Sequence, residues 1–376
     1  MHRHRVAVMV VVVVLLHLVG PLSDGAAGEP DWMPLSDGTL AGWKKVGGEA
    51  TYRVEGDSIV GQVGPGPNTF LRTERSFANF VLTLEMKIDV PGNSGIQLRS
   101  HQVGGTGQVV GYQVEIDPSA RAWSGGIYDE GRRGWLDPLQ DDPRARAAFR
   151  QADWNRYEIR AEGPWLRTWV NGVPCADLID PVDAEGFIAL QVHSGTQGQI
   201  RWRDVRIREL PATPWQPLWN GTDFEGWETI GGGQWQTEQG MIHGTSSAGE
   251  TRHGHLISRA RFSDFAVRLK YQAMAGNSGL YFRVDQGGWA GVQGFQAEID
   301  PQRDAGGLYE TDGRGWVVRP NPEDVKSWFR PGAWNEMSVV ALGKRVVVQV
   351  NGKQTAELRD DPGRLAGHIA LQLHGG

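Results

Sequence analysis

Three stretches of the chain carry polar side chains at every second position, and each stretch occurs twice. In GYQVEID (111–117), Gln113, Glu115 and Asp117 alternate with Val114 and Ile116, and GFQAEID (294–300) repeats this with Gln296, Glu298 and Asp300. NSGIQLR (93–99) sets Gln97 and Arg99 against Ile96 and Leu98, while NSGLYFR (277–283) sets Tyr281 and Arg283 against Leu280 and Phe282. IALQVH (188–193) and IALQLH (369–374) add Gln191 with His193 and Gln372 with His374. Alternate residues of a strand share one face, so these groups are expected to converge on a polar sheet surface. A histidine there can shuttle a proton near neutral pH, which makes His193 and His374 the candidates for that role. Glu115 and Glu298 suit a general base or a partner that orients the histidine, with Asp117 and Asp300 one step along the same face. Arg99 and Arg283 can hold a developing oxyanion, or they can simply neutralise the glutamates. The amides of Gln97, Gln113, Gln191, Gln296 and Gln372 suit the hydroxyls of a sugar. Tyr281, Tyr128 and Tyr309 offer a hydroxyl or a ring, and Trp135 and Trp316, flanked by glycines, can stack on a sugar face. The bland reading of the same residues is a solvated face with internal pairs and hydrogen-bonded structural histidines.

The elements that must position these groups are also written twice, at an offset of about 180 residues. LSDGTLAGW (35–43) matches LWNGTDFEGW (218–227), and GGIYDEGRRGW (125–135) matches GGLYETDGRGW (306–316). A period this long indicates a duplicated domain rather than a solenoid. Residues 31–210 and 217–376 are the two expected domains, joined by a proline-bearing linker at 211–216. Hydrophobicity alternates with period two, as in FANFVLTLEMKI (77–88), and Asn-Gly turns at 171 and 351 separate strand-like runs. Only residues 142–150 and 322–330 look helical, one short helix per domain. The expectation is therefore all-β, two tandem jelly-roll sandwiches. The first domain closes with IRWRDVRI (200–207), and no counterpart follows LQLH, so the second is expected either to be truncated or to lack its last strand. Trp154 and Trp334, in the repeated Trp-Asn pair, read as structural. The runs GGTG (104–107) and HGH (253–255) read as loop sequence.

Composition narrows the function classes. Of 376 residues 52 are glycine and 16 tryptophan, and the formal charge is −6. This gives no electrostatic footprint for nucleic acid. The lone cysteine, Cys175, excludes an intrachain disulfide framework and reads as a small buried hydrophobe. Residues 1–28 combine a basic start, an apolar run and small residues around Ala26. That is the pattern of a secretory signal. The product is expected to be periplasmic or secreted, with no membrane partner once the signal is removed.

Taken together, the DG-x-L-x-GW opening at Asp37–Trp43, NSG-x-x-x-R at Asn93–Arg99, the GYQVEID strand, GGIYDE at Gly125–Glu130, Trp154-Asn155 and the LQ-x-H strand resemble the 3-keto-disaccharide hydrolase domain. The resemblance implies a concanavalin A-like or laminin G-like jelly roll. It also implies action on glycosides already oxidised at C3 of a sugar. A C3 ketone acidifies the C2 hydrogen, so a base can remove it, the enolate can expel the C1 substituent, and water can add to the unsaturated sugar. Such a site needs a base, an acid for the leaving group, and donors for the enolate. This chain departs from many relatives in placing the amide, Gln113 or Gln296, before the acid, Glu115 or Glu298. A divalent cation, as structural calcium or catalytic metal, is the one cofactor that these residue types suggest. Two alternatives use the same face: a carbohydrate-binding protein without catalysis, and a conventional endo-acting glycoside hydrolase. The second requires an acid at position 113, where this chain has glutamine.

Overall fold

The computed structural model describes residues 14–18, 31–104, 107–211, 214–247, 249–273 and 275–375. It divides into two compact units, Asp24–Ala212 and Thr213–Gly376, with Met1–Ser23 grouped with the latter. Most of the expected signal segment lies outside the described residues, as do Ala212 and Thr213 of the expected linker. Among the described residues, no helix is long and apolar enough to cross a membrane. Two single-turn helices, Pro143–Arg146 and Pro322–Val325, are capped by the side chains of Asp142 and Asn321. The strands named among the described residues all pair antiparallel.

In the first unit two sheets face each other. One runs in the order Gly134–Asp137, Ile127–Glu130, Gln108–Ile116, Ser94–Val103, Phe187–Val192, Thr69–Thr73 and Trp43–Gly47. The other is centred on Phe80–Val90, with Asn155–Glu162 on one side and Gln199–Glu209 on the other. The alternation that was legible in the sequence becomes the packing: Leu82, Leu84, Met86, Ile96, Leu98, Tyr112, Val114 and Ile116 all enter the core between the sheets. Gln97, Gln113 and Glu115 consequently stand on the outward face of the first sheet.

The second unit repeats this plan, with Tyr271, Leu280, Phe282, Phe295, Ala297 and Ile299 in its core. Its topology differs at the closing strand and at the strand hairpin beside it. The place of Gln199–Glu209, beside Phe80–Val90, corresponds to a place beside Phe265–Tyr271. There Val14–Leu18 pairs antiparallel, with Gln216–Pro217 on its other side. In the first unit the longer closing strand also pairs with Ser58–Gln62. In the second, the matching hairpin of Gln234–Glu238 and Met241–Thr245 forms a separate two-stranded sheet.

Arg99 and Arg283 are the main correction to the sequence reading. Strict alternation would put both on the polar face, but each has a left-handed backbone, with φ of 43° and 50°. Each also sits where the strand pairing shifts register. The bulge turns the side chain away from the polar face and buries it. The Arg99 guanidinium donates to the carbonyls of Ala78 (2.6 Å), Gly163 (2.6 Å) and Asp183 (3.3 Å) and to Oδ1 of Asn79 (3.0 Å). Arg283 donates likewise to Ser263, Gly343 and Arg364 carbonyls. These acceptors lie in loops and turns that adjoin the other sheet, so each arginine fastens the sandwich across its layers. The bulge also explains two repeated glycines. A Cβ at Gly186 would lie 2.3 Å from the Arg99 carbonyl carbon, and one at Gly111, where φ is 139°, would lie 2.4 Å from Ser100 Oγ. Gly367 and Gly294 meet the same obstruction from Arg283 and its neighbour Val284.

In the Trp-Asn pair the asparagine is the structural member. Asn155 joins Arg150, Asp153 and Asn171 through hydrogen bonds, and Asn335 does the same with Arg330, Ala333 and Asn351. Trp334, read as structural, is instead 44% exposed. Cys175 is half-buried against the core, and burial pushes its thiol up to about 12. Replacing Arg99 with Met should take the donor from the carbonyls of Ala78, Gly163 and Asp183, while Asn79 Oδ1 keeps the Gly163 N–H, at about 1–3 kcal/mol for each carbonyl that stays unpaired. Urea unfolding of the Arg99→Met protein should therefore show the first unit destabilised by more than about 3 kcal/mol, whereas a change below about 1 kcal/mol would deny the arginine this role.

Candidate active site

The outward face of the first unit holds a cavity of about 300 Å³ lined by Gln113, Glu115, Tyr128, Trp135 and His193 together with Asn68, Asn93, Arg121 and Glu130. A wider recess of about 810 Å³ shares Asn93, Arg121 and His193 and extends past Asp117 and Gln151. These sizes suit small-molecule sites. Five of the sequence candidates thus meet at one cavity, with four residues that the sequence reading had not singled out.

Glu115 is the buried centre. Its Oε1 accepts from Asn93 Nδ2 at 2.7 Å and Arg121 Nη2 at 3.3 Å, and its Oε2 accepts from Gln113 Nε2 at 3.0 Å. Burial raises its pKa, against the opposing pull of Asn93, Gln113 and Arg121. Gln97 passes its amide to Gln113 Oε1 at 2.6 Å and is itself fully buried, so both glutamines order the face rather than greet a ligand directly. Gln191 is also buried, and neither atom of its amide has a protein partner among the described residues. Asp117 organises the following loop: it accepts from the backbone of Ser119 and Trp123 and from Arg121 Nε at 2.7 Å. Burial would raise its pKa, but the hydrogen bonds of Ser119 and Arg121 outweigh burial and hold it below the usual range.

Arg121 takes the place that the sequence reading gave to Arg99. Its guanidinium lies over Trp123 and Trp135, 5.0 and 4.8 Å from the ring centroids. Trp135 also meets the Tyr128 ring edge-on, at 5.2 Å. Trp135 is therefore a wall for the arginine as well as part of the cavity lining. Glu130 follows Tyr128 by two residues on the same short strand, Ile127–Glu130. Burial raises its pKa, Asn68 and His193 lower it, and the charge of Glu115 adds to the rise. His193 has its Nδ1 2.8 Å from the carbonyl of Ser194. A carbonyl can only accept, so Nδ1 carries the proton and Nε2 presents a lone pair.

The second unit keeps the plan and changes the chemistry. Glu298 is again buried, with Asn277 Nδ2 donating to it, and burial pushes its pKa up to about 8, with Asp300 and Asp304 adding to the rise. Asp300 accepts from the backbone of Gln302 and Asp304. Gln296, Gln372, Tyr281 and Thr311 form one buried network. Tyr309 and Trp316 pack edge-on at 5.4 Å. The HGH run is a correction. His255 lies inside the strand Gly254–Ser258, and His253 immediately precedes it. The His253 ring stands 4.4 Å from that of His374. Burial lowers all three histidines, His255 to about 4, and His253 and His374 also below the ordinary histidine value.

The missed residues had weak sequence signals. Asn93 and Asn277 open the repeated NSG, and Glu130 follows Tyr128 by the strand period. Arg121 lies in a loop that the second repeat shortens, so self-comparison hides it. Among the described residues, no group of three or more His, Cys, Asp or Glu side chains is arranged to hold a metal ion.

A family model described as the 3-keto-alpha-glucoside-1,2-lyase-like domain matches residues 31–208 and again 214–376. No curated protein matches the chain. Among solved structures, carbohydrate binding module CBM66 from Bacillus subtilis is 16% identical, with a TM-score of 0.35, covering 47% of this chain and 100% of its own. A Bacillus subtilis protein of unknown function with a galectin-like fold is 15% identical at TM-score 0.38, covering 50% and 97%. Rv0315, an immunostimulatory antigen and pseudo beta-1,3-glucanase of Mycobacterium tuberculosis, is 10% identical at TM-score 0.32, covering 49% and 100%.

The raised carboxyl of the second unit has a measurable consequence. The folded state keeps the Glu298 proton to about pH 8, while the unfolded chain releases it near the ordinary glutamate value. Between those values the native state binds more protons, so stability falls as pH rises and levels off above about 8. Thermal unfolding of Glu298→Gln should lack that part of the decline; an unchanged profile would contradict the burial argument.

Proposed function

We propose, for a chain that belongs to the 3-keto-alpha-glucoside-1,2-lyase-like domain family in two tandem copies, that the first unit cleaves glycosides carrying a ketone at C3. Family membership supports a carbohydrate-active protein. The observation that favours this chemistry over ordinary glycoside hydrolysis is the pairing of a histidine bearing a free Nε2 lone pair with two raised carboxyls and one guanidinium around a single cavity.

The roles follow from which atoms are still free. His193 Nε2 takes the C2 proton, and the electron pair moves toward the C3 oxygen. Arg121 places Nε on Asp117 and Nη2 on Glu115, leaving Nη1 with no protein partner among the described residues. That nitrogen is available to the enolate oxygen, where a fixed cation lowers the barrier most. The carbonyl re-forms as the C1–O bond breaks. The departing oxygen takes its proton from Glu130, whose carboxyl has one hydrogen bond among the described residues, from Asn68, long at 3.3 Å. Glu115 accepts three donors and is better suited to hold Arg121, Asn93 and Gln113 in place than to give up a proton. Water then adds at C1 while a proton returns to C2, releasing the 3-keto sugar. Tyr128 and Trp135 border the ring-sized space. The apolar leader fits export, so the reaction is proposed for the periplasm or the outside of the cell.

The test uses a disaccharide oxidised to the ketone at C3 of its α-glucosyl ring, beside its unoxidised parent, with release of the second sugar as the readout. The ketone should be cleaved and the parent left intact; cleavage of the parent at a comparable rate would overturn the reading. His193→Ala should lower kcat/KM on the ketone by about 10²–10⁴-fold, the usual worth of a positioned base. Glu130→Gln should lower kcat most for poor leaving groups, and a uniform loss across leaving groups would argue against its role as the acid.

A further inference from the structure

The two polar faces arise from one repeated sequence, yet the groups needed for proton abstraction are unequally retained. Strand register makes the comparison residue by residue. Phe70 lies opposite Gln191, and His255 lies opposite Gln372 at the equivalent position, so His253 stands where Asn68 does. Glu130 lies opposite Gly111, and Thr311 opposite Gly294, so the second carboxyl has become a hydroxyl. Arg121 has no counterpart on Glu298. Arg319 does lie over Trp316, at 4.9 Å, as Arg121 lies over Trp135, but its Nε and Nη2 both bond to Asp304. The second face therefore lacks a cation on its central glutamate and a second acid beside it.

What it has gained is a different set. The hairpin tip between Ser278–Gln286 and Val292–Ile299 folds back over the face, which brings Gly291 near the His255 ring and Trp289 to 5.5 Å from His253. Trp289 is 68% exposed. From it a continuous row runs through His253 and His374 to Asn277, whose carbonyl accepts the His374 backbone N–H, and on to Glu298. His253 Nδ1 accepts the Gly375 N–H at 3.1 Å, so its Nε2 carries a proton and faces outward as a donor. Beneath this row His255 is fully buried, and neither ring nitrogen has a protein partner among the described residues. A buried imidazole left with both nitrogens unpaired is costly unless something else bonds to it.

We infer that the second unit is a holding site for an unoxidised saccharide rather than a second catalytic centre, with Trp289 stacked on a sugar ring and His253, His374 and Glu298 bonded to its hydroxyls. The inference rests on the function proposed above only in assigning turnover to the first unit. The groups offered to the ligand suit a neutral one: burial lowers the three histidines and raises the Glu298 carboxyl to about 8, so they present donors and acceptors without charge of their own, while Asp300 and Asp304 are taken up by loop N–H groups and Arg319. An exposed tryptophan supplies a flat apolar platform at little entropic cost.

The experiment uses the full chain and two readouts, calorimetric titration with maltotriose and turnover of the C3-oxidised disaccharide. His193→Ala combined with Glu115→Gln should abolish turnover and leave the maltotriose Kd within about twofold. Trp289→Ala should raise that Kd at least tenfold, with Trp289→Phe restoring most of it. The inference is overturned if turnover survives the first-unit substitutions and disappears on adding His374→Ala. It is equally overturned if the wild-type chain does not bind maltotriose or if Trp289→Ala binds it unchanged. Absence of turnover in every protein would refute the catalytic proposal alone, because the titration still decides whether the holding site exists.

Discussion

A guanidinium buried between layers dictates much of what each unit can be. Arg99 and Arg283 are charged groups fully removed from water, and burial pulls Arg99 down to about 10, still above neutral pH. Such a cation is tolerable only with its donors satisfied, and each arginine finds acceptors in backbone carbonyls of the loops and turns that adjoin the opposing sheet. Reaching those carbonyls requires the left-handed bulge. The bulge in turn excludes a Cβ from both neighbouring strands, which is why glycine occupies 111, 186, 294 and 367. It also shifts the register of the strand that continues into the folded-back hairpin. The shape of the face is thus coupled to one interaction that the ligand never meets.

On that common frame the two faces have diverged through charge. Both bury a glutamate against an asparagine from NSG, so desolvation raises both carboxyls. In the first unit a guanidinium partly offsets the burial and a second carboxyl stands close by. In the second unit the Asn277 hydrogen bond opposes it, but the charges of Asp300 and Asp304 add to it, and His253 and His374 stand nearby with His255 buried beneath them. The same desolvation therefore acts on a carboxyl paired with a cation in one place and on a carboxyl beside uncharged imidazoles in the other.

Period-two alternation was enough to read the all-β sandwiches, the core set and the shared face of Gln97, Gln113 and Glu115, because burial of one face leaves few other registers. It failed at Arg99 and Arg283 because a single inserted residue reverses the face, and a bulge has no mark in hydrophobicity. Comparison of the repeats located Glu115, Tyr128, Trp135 and His193 because they recur. For the same reason it passed over Arg121 and Glu130, which do not recur. HGH looked like a loop because glycine interrupts the run, whereas in the strand Gly254 lies with its Cβ position 1.9 Å from the Gly232 carbonyl oxygen, a site no other residue could take.

In the proposed reaction the first face removes a proton from C2 before the glycosidic bond breaks. Running the reaction on the C3-oxidised disaccharide in D2O, and following C2 by mass and NMR at early times, tests it directly. Proton abstraction at C2 should leave one deuterium there in the released 3-keto sugar for each leaving group set free, faster than the product exchanges unaided. Release of the leaving group with the original hydrogen retained at C2 would contradict it.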